Sequence, residues 1–304
     1  MKQLKLVEDA SIYQLSLRLF TPEGTLRAAE KMLPMLADLG PKYLQLVAIT
    51  AADDDGDQTY WSKRQIASGT NNPKNSYRMK DYFHVDEEYG TDEDFKRFVA
   101  AAHKNGLRII LDLVYLHCGP KAAFLNEHPE YVQRNPDGTF KIMGEWAFPR
   151  FDYSNMEVRE YLWSNMLYWV KEFDVDGFRC DVGDAIPVDF WVEGVKRVRA
   201  IKEDVIMVNE GRGNEYFAAF DVNYFYEGSF DAVPVAKGEM TAAAFRKKWE
   251  DYRLTMPENG RILHYIDNHD VTSDNGEDRI EKVIGTNGVD ALLVLDFMLD
   301  GVPF

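Results

Sequence analysis

Cysteine is scarce in this chain. Cys118 and Cys180 are the only two among 304 residues, too few for a disulfide framework and wrongly spaced for a metal-binding knuckle, so free buried thiols are expected. No stretch approaches the run of about 20 apolar residues that a membrane-spanning helix needs. Positive charge is also short. Lys and Arg number 35 against 51 Asp and Glu, a net charge of −16, and they form no basic block, which argues against a nucleic acid or an anionic membrane as partner. The acidic surplus has a plainer use as well, because solvated carboxylates keep a protein in solution. The N-terminus, MKQLKLVEDASIYQLSLRLF, lacks an apolar segment followed by small residues, so no secretory signal is predicted and a cytoplasmic location is expected. The sequence sets no oligomeric state.

What the chain does have is rhythm. Short apolar runs alternate with longer helical patterns, as in βα units whose parallel strands are buried on both faces. Strands are predicted at Tyr13–Phe20, Tyr43–Ile49, Leu107–Val114, Val175–Val182, Val205–Glu210, Phe220–Phe225 and Arg261–Ile266. Helices are predicted at Thr25–Leu39, Asp92–Asn105, Val158–Phe173, Pro187–Ile201 and Ala291–Leu299. Seven such strands point to an α/β fold, a (β/α)8 TIM barrel over residues 1–304. Gly301–Phe304 reads as the opening of an eighth strand, so the expectation is a chain truncated at its C-terminus, lacking most of strand 8 onward. Residues 117–154 break the rhythm, being long and rich in Pro, Asn, Gly and aromatics, and are expected to form a small excursion after the third strand. The acidic run Asp53–Asp55 and the polar Asn71–Pro73 are expected on a surface loop.

In such a barrel, polar residues ending apolar runs project into one mouth. The third strand offers Asp112 and His117, the fourth Arg179 and Asp181, the fifth Glu210, and the seventh His269 and Asp270. Each acidic residue alone could cap a helix; their coincidence at four strand ends is harder to explain that way. Arg179 and Asp181, two apart, face the same way, so the guanidinium can hold the carboxylate ionised with a lowered pKa, as a nucleophile requires. A buried ion pair that only stabilises the barrel has the same spacing. Glu210 closes the apolar run Val205–Val208, a setting that raises a carboxyl pKa and suits a general acid.

These segments resemble the conserved regions of the α-amylase superfamily of glycoside hydrolases and transglycosidases. Leu111–His117, Asp176–Asp181, Val208–Gly211 and Ile266–Asp270 are similar to its four regions, and Tyr77–Tyr82 with Tyr89–Thr91 to the segment supplying an aromatic platform. The resemblance implies a retaining glycosidase acting on α-glucans or oligosaccharides by double displacement. Asp181 is then the nucleophile, Glu210 the general acid/base, and Asp270 a carboxylate gripping sugar hydroxyls. It implies that His117 and His269 donate to the sugar and Tyr77 stacks on it, while Asp112 serves as a partner of Arg179 behind them.

Four positions depart from the family pattern. Leu116 stands where a calcium-ligating Asn is usual, and it cannot ligate a hard cation, so no structural calcium and no cofactor is expected. Asp184 and Ala185 replace a common Lys-His pair, so endo-cleavage of starch does not follow. Ser76 replaces an Asp that binds terminal sugars, which disfavours a strict terminal-glucose pocket. Alternatives that the sequence leaves open are an α-glucan transglycosidase with the same triad, a non-catalytic homologue used for binding or assembly, and a metal-dependent barrel hydrolase, which the lack of close-spaced His pairs disfavours.

Overall fold

A computed structural model describes residues 6–142, 144–258, 260–274 and 278–304. Eight parallel strands follow one another in sequence order, β1 to β8, each hydrogen-bonded to the next. They are β1 (Ile12–Leu15), β2 (Tyr43–Leu46), β3 (Arg108–Leu113), β4 (Gly177–Cys180), β5 (Ile206–Asn209), β6 (Val222–Tyr224), β7 (Arg261–His264) and β8 (Val302–Pro303). The sheet is the (β/α)8 barrel expected, and every predicted strand lies inside its predicted window except at the start of β1. The windows were too long because apolar character continues past the last ladder bond into residues that turn toward the mouth. The first is corrected most. Extended structure stops at Leu15, and Leu17–Phe20 is a short helix.

The eighth strand is the two-residue Val302–Pro303, paired with β7 through Leu263↔Val302 and His264↔Pro303. Val302 is fully buried in a barrel interior that also takes Ile12, Tyr43, Ile110, Ile206, Val208, Val222, Tyr224 and Leu263. β4 gives no side chain to this layer. At Gly177 an added Cβ would run into Ile206 and Ile110, so the lower interior is full, and the next inward residues of β4 are Arg179 and then Asp181.

Helices cover the outside through a second, larger core that includes Phe95, Phe98, Trp169, Phe190 and Trp191. Asp92–Lys104 starts with a capping box, the Thr91 hydroxyl accepting from the Asp94 amide and the Asp94 carboxylate accepting from the Thr91 amide, two otherwise orphaned donors satisfied together. The helix predicted at Thr25–Leu39 is two, Leu26–Glu30 and Leu33–Asp38, the second with Pro34 in its first turn, where proline is tolerated.

The acidic segment after β2 is not simply a solvated loop. Asp53 is fully buried, its carboxylate accepting from the Asp55 amide at 2.7 Å and the Lys121 amide at 2.7 Å. It lies 3.6 Å from the equally buried Arg78. Arg78 donates to the backbone carbonyls of Tyr60, Asp53, Asp55 and Pro73, which ties residues 53–73 together. Within the excursion, short antiparallel bridges join His117 to Arg150, Val132 to Phe151 and Arg134 to Phe140. No helix among the described residues is long and apolar enough to cross a membrane.

Candidate active site

The centre of the site is one guanidinium. Arg179 on β4 has no solvent exposure. Its Nη1 donates to both oxygens of Asp112 on β3, at 2.8 and 3.0 Å, and to Asp181 Oδ1 at 2.8 Å. Its Nη2 lies 2.6 Å from Glu210 Oε1, close in distance but poorly aligned for a hydrogen bond. Burial works against the cation, yet Asp112, Glu210 and the Tyr224 and Tyr77 hydroxyls outweigh it and push its pKa up. One positive charge therefore serves three carboxylates.

That sharing corrects an expectation about Asp181. Arg179 does pull its pKa down, but burial and the neighbouring Glu210 charge push harder in the opposite direction, with Asp112 and Asp270 adding to them, and the net shift is well upward. Glu210 is also shifted upward, by burial first and by Asp270, against the pull of Arg179. Asp181 and Glu210 titrate as a pair that retains a proton above the usual carboxylate range. Such a pair can supply one ionised and one protonated carboxyl at once, which is what acid-assisted displacement requires.

The backbone joins the two as tightly as Arg179 does. The Val182 amide, next after Asp181, donates to Glu210 Oε2 at 2.8 Å, and the Gly183 amide donates to the Glu210 carbonyl at 3.0 Å. To aim that N–H, Val182 takes a left-handed conformation, φ 43°, ψ 45°, which a β-branched residue adopts only at a cost of about 1–3 kcal/mol. A side chain at Gly183 would collide with Asn209 Oδ1, so the chain can turn there only without one.

Tyr77 and His269 lie beside this pair. Their rings are parallel, 5.3 Å apart with an interplanar angle of 1°. The Tyr77 hydroxyl donates to Asp112 Oδ2 at 2.8 Å and lies 2.8 Å from His269 Nε2. The His269 backbone amide donates to Gln14 Oε1 from β1 at 3.2 Å. Asp112 thus supports both Arg179 and Tyr77 and does not line the cavity. His117 is held differently from its expected role. Its Nε2 donates to the Tyr77 carbonyl at 2.8 Å, and burial lowers its pKa to about 4. The ring is therefore neutral near pH 7, and its hydrogen is already used on the protein rather than presented to a sugar.

Asp270 follows β7 in the turn His269–Asp274. Burial favours its neutral form, but His269, Arg179 and Arg64 overcome that, and its pKa falls below the usual value. Arg64, from the helical turn Lys63–Ala67 after β2, donates through Nη1 to Asp270 Oδ1 at 2.7 Å. Its guanidinium also sits 5.1 Å from the ring centre of Trp146, in the excursion. The sequence reading missed Arg64, since nothing local marks a partner 206 positions away. Trp146 and Phe148 were legible only as part of an aromatic-rich stretch.

These groups enclose a cavity of about 490 Å³ with Tyr77, His117, Asp181, Glu210, His269 and Asp270 on its surface, Arg64, Trp146 and Phe148 on its walls, and Ser62, Gln65, Ser68, Thr70 and Asn72 at the loop side. Acids, neutral imidazoles, hydroxyls, amides and flat aromatic faces suit a polyhydroxylated ligand. Leu116, where calcium ligation was in question, is buried against the cavity and offers hydrocarbon only. Among the described residues, ligand atoms converge at His128, Glu130 and Glu157, within 4.8 Å of one another, none of which lines the cavity.

Comparison with known proteins agrees with this architecture. The family model "Alpha amylase, catalytic domain" matches residues 19–145, ending ahead of Asp181. A malto-oligosyltrehalose trehalohydrolase from Rhizobium sp. (strain M-11) is 31% identical over 71% of this chain and 33% of its own length. A maltogenic α-amylase from Bacillus acidopullulyticus is 33% identical over 44% of this chain and 26% of its own. The chain thus spans a third or less of these curated relatives. The crystal structure of an α-amylase from Lactobacillus plantarum matches all of this chain and 71% of its own, with a TM-score of 0.85 at 27% identity. Fold, family match and relatives agree: this chain is similar to the α-amylase family.

Proposed function

We propose that the chain is the catalytic barrel of a retaining glycosidase that acts on α-glucosidic linkages of α-glucans or oligosaccharides. The observation that carries this reading is the Arg179 bridge, which brings Asp181 and Glu210 to adjacent nitrogens of one guanidinium at 2.8 and 2.6 Å. Carboxyls gathered that closely suit the separation of about 5–5.5 Å used for direct attack, rather than the gap of about 6.5–9.5 Å that leaves room for water in an inverting site. Asp181 attacks the anomeric carbon while Glu210 gives its proton to the leaving oxygen, and a glycosyl ester on Asp181 results. Glu210, now ionised, takes a proton from water, whose oxygen displaces Asp181 with net retention. Asp270 holds hydroxyls of the sugar being cleaved, and Tyr77 presents its ring, its hydroxyl 2.8 Å from His269 Nε2. Similarity to a maltogenic α-amylase, a cyclomaltodextrinase and a malto-oligosyltrehalose trehalohydrolase supports an α-glucan substrate. No step uses a metal or other cofactor.

Proton NMR of the products from a linear malto-oligosaccharide tests this directly. New reducing ends should appear first as the α-anomer, and Asp181→Asn should abolish them, lowering kcat by about 10⁴-fold or more. Initial release of the β-anomer, or full activity in the variant, would overturn the mechanism.

A further inference from the structure

We propose that Arg64 is a positioning residue for Asp270, fixing the direction in which that carboxylate meets the substrate. The inference rests on the glycosidase reading above. Asp270 belongs to the turn after β7, so it is not held in a strand ladder as Arg179 on β4 is. Its own turn supplies the Asp270 amide bonded to Asn268 Oδ1 at 2.9 Å, which fixes backbone and not carboxyl. The side-chain contacts come from elsewhere: Arg64 Nη1 on Oδ1 at 2.7 Å and His269 Nε2 at 3.4 Å from Oδ2.

Arg64 is itself braced. Its guanidinium lies over Trp146, and the turn that carries it begins with the buried Ser62 hydroxyl accepting from the Gln65 amide. Gln65 in turn donates to the carbonyls of Asn72 and Pro73. A planar fork held on an aromatic face and anchored at its base is a directional donor. Three segments distant in sequence, at residues 64, 146 and 270, therefore meet at one guanidinium on the cavity wall.

The electrostatics point the same way. The titratable and charged groups facing Asp270 are His269, Arg179 and Arg64, which lower its pKa, and Asp181 and Glu210, which its charge pushes up. Removing Arg64 takes away a cation that favours the ionised form, so the pH at which Asp270 gains a proton should rise. An unpositioned Asp270 also meets the transition state less well, so the loss should appear mainly in kcat.

The test compares Arg64→Met, Arg64→Lys and Trp146→Ala with the parent chain, by kcat and KM on a malto-oligosaccharide across pH. In parallel, the Asp270 carboxyl is titrated by ¹³C NMR, assigned with Asp270→Asn. Arg64→Met should lower kcat by about tenfold, the size of one charge-assisted contact, and move the acid limb and the Asp270 titration to higher pH. Arg64→Lys should recover part of both, and Trp146→Ala should show a smaller loss of the same kind. An unmoved Asp270 titration and pH profile in a folded Arg64→Met would overturn the proposal, as would a gain in activity, which would make Arg64 a competitor of the substrate. If the parent chain cleaves no α-glucan, the glycosidase reading fails by itself, and the NMR titration still tells whether Arg64 governs Asp270.

Discussion

Arg78 and Arg179 are both without solvent exposure, and they resolve the cost of a buried cation in opposite ways. Arg179 is surrounded by ionisable acids, and its pKa is pushed up. Arg78 has one carboxylate at 3.6 Å, is satisfied mostly by backbone carbonyls, and burial pulls its pKa down despite Asp53, Asp55 and Asp54. Carbonyl dipoles fix a loop in place; carboxylates around a guanidinium store negative charge for chemistry. The same residue type, equally hidden, is architecture in one place and electrostatic control in the other.

The comparison can be broken from either side. Arg179→Lys keeps a charge but loses the fork, and kcat/KM is expected to fall by about 10³-fold or more with the fold retained by circular dichroism; activity within tenfold of the parent would sink the catalytic half. Arg78→Met leaves the Tyr60 and Asp53 carbonyls without their side-chain donor and the buried Asp53 carboxylate without its cation, and urea unfolding should show a loss of about 3–5 kcal/mol, with a loosened 53–73 segment in hydrogen exchange. If Arg78→Met instead unfolds no more easily but loses all activity, the two roles have been assigned the wrong way round. Asp53→Asn should destabilise less, by about 1–3 kcal/mol, since the side chain retains one accepting oxygen.

Asp296 sharpens the contrast because it has no cation partner among the described residues. It sits in a small pocket with Leu292, Leu295, Ile266 and His264, and burial alone raises its pKa to about 7. Its folded pKa lies above its unfolded one, so stability is greatest at low pH and is lost as pH rises from about 4 to about 7. Asp296→Asn should therefore raise stability by about 1–3 kcal/mol at pH 8, a difference that shrinks to nothing below pH 4 in pH-resolved melting curves. The smallest effect expected is none. A chelator such as EDTA should leave cleavage unchanged, and a loss restored by added calcium would contradict the metal-free reading.

Much of the barrel was legible because its signal is periodic. Continuous apolar runs ending in acids located β3, β4, β5 and β7 and gathered Asp112, Arg179, Asp181 and Glu210 before any coordinates. What stayed hidden depends on residues far apart. Three consecutive acids at 53–55 look like solvated charge, and only Arg78 and the Lys121 amide reveal that the first is a core residue. Arg64 lacks even that hint. The pKa direction of Asp181 was misread for a related reason: spacing shows which group faces which, but not how many carboxylates divide one cation. His117 lines the cavity, while the Tyr77 carbonyl that takes its hydrogen lies 40 positions upstream.

The strained amide at Val182 has a consequence for motion. Because it follows Asp181 in the chain and holds Glu210 through a hydrogen bond, a displacement of one carboxyl carries the other with it. Thermal fluctuation then moves the pair as a body against the sugar, while the distance between them, on which the timing of proton transfer and attack depends, varies least.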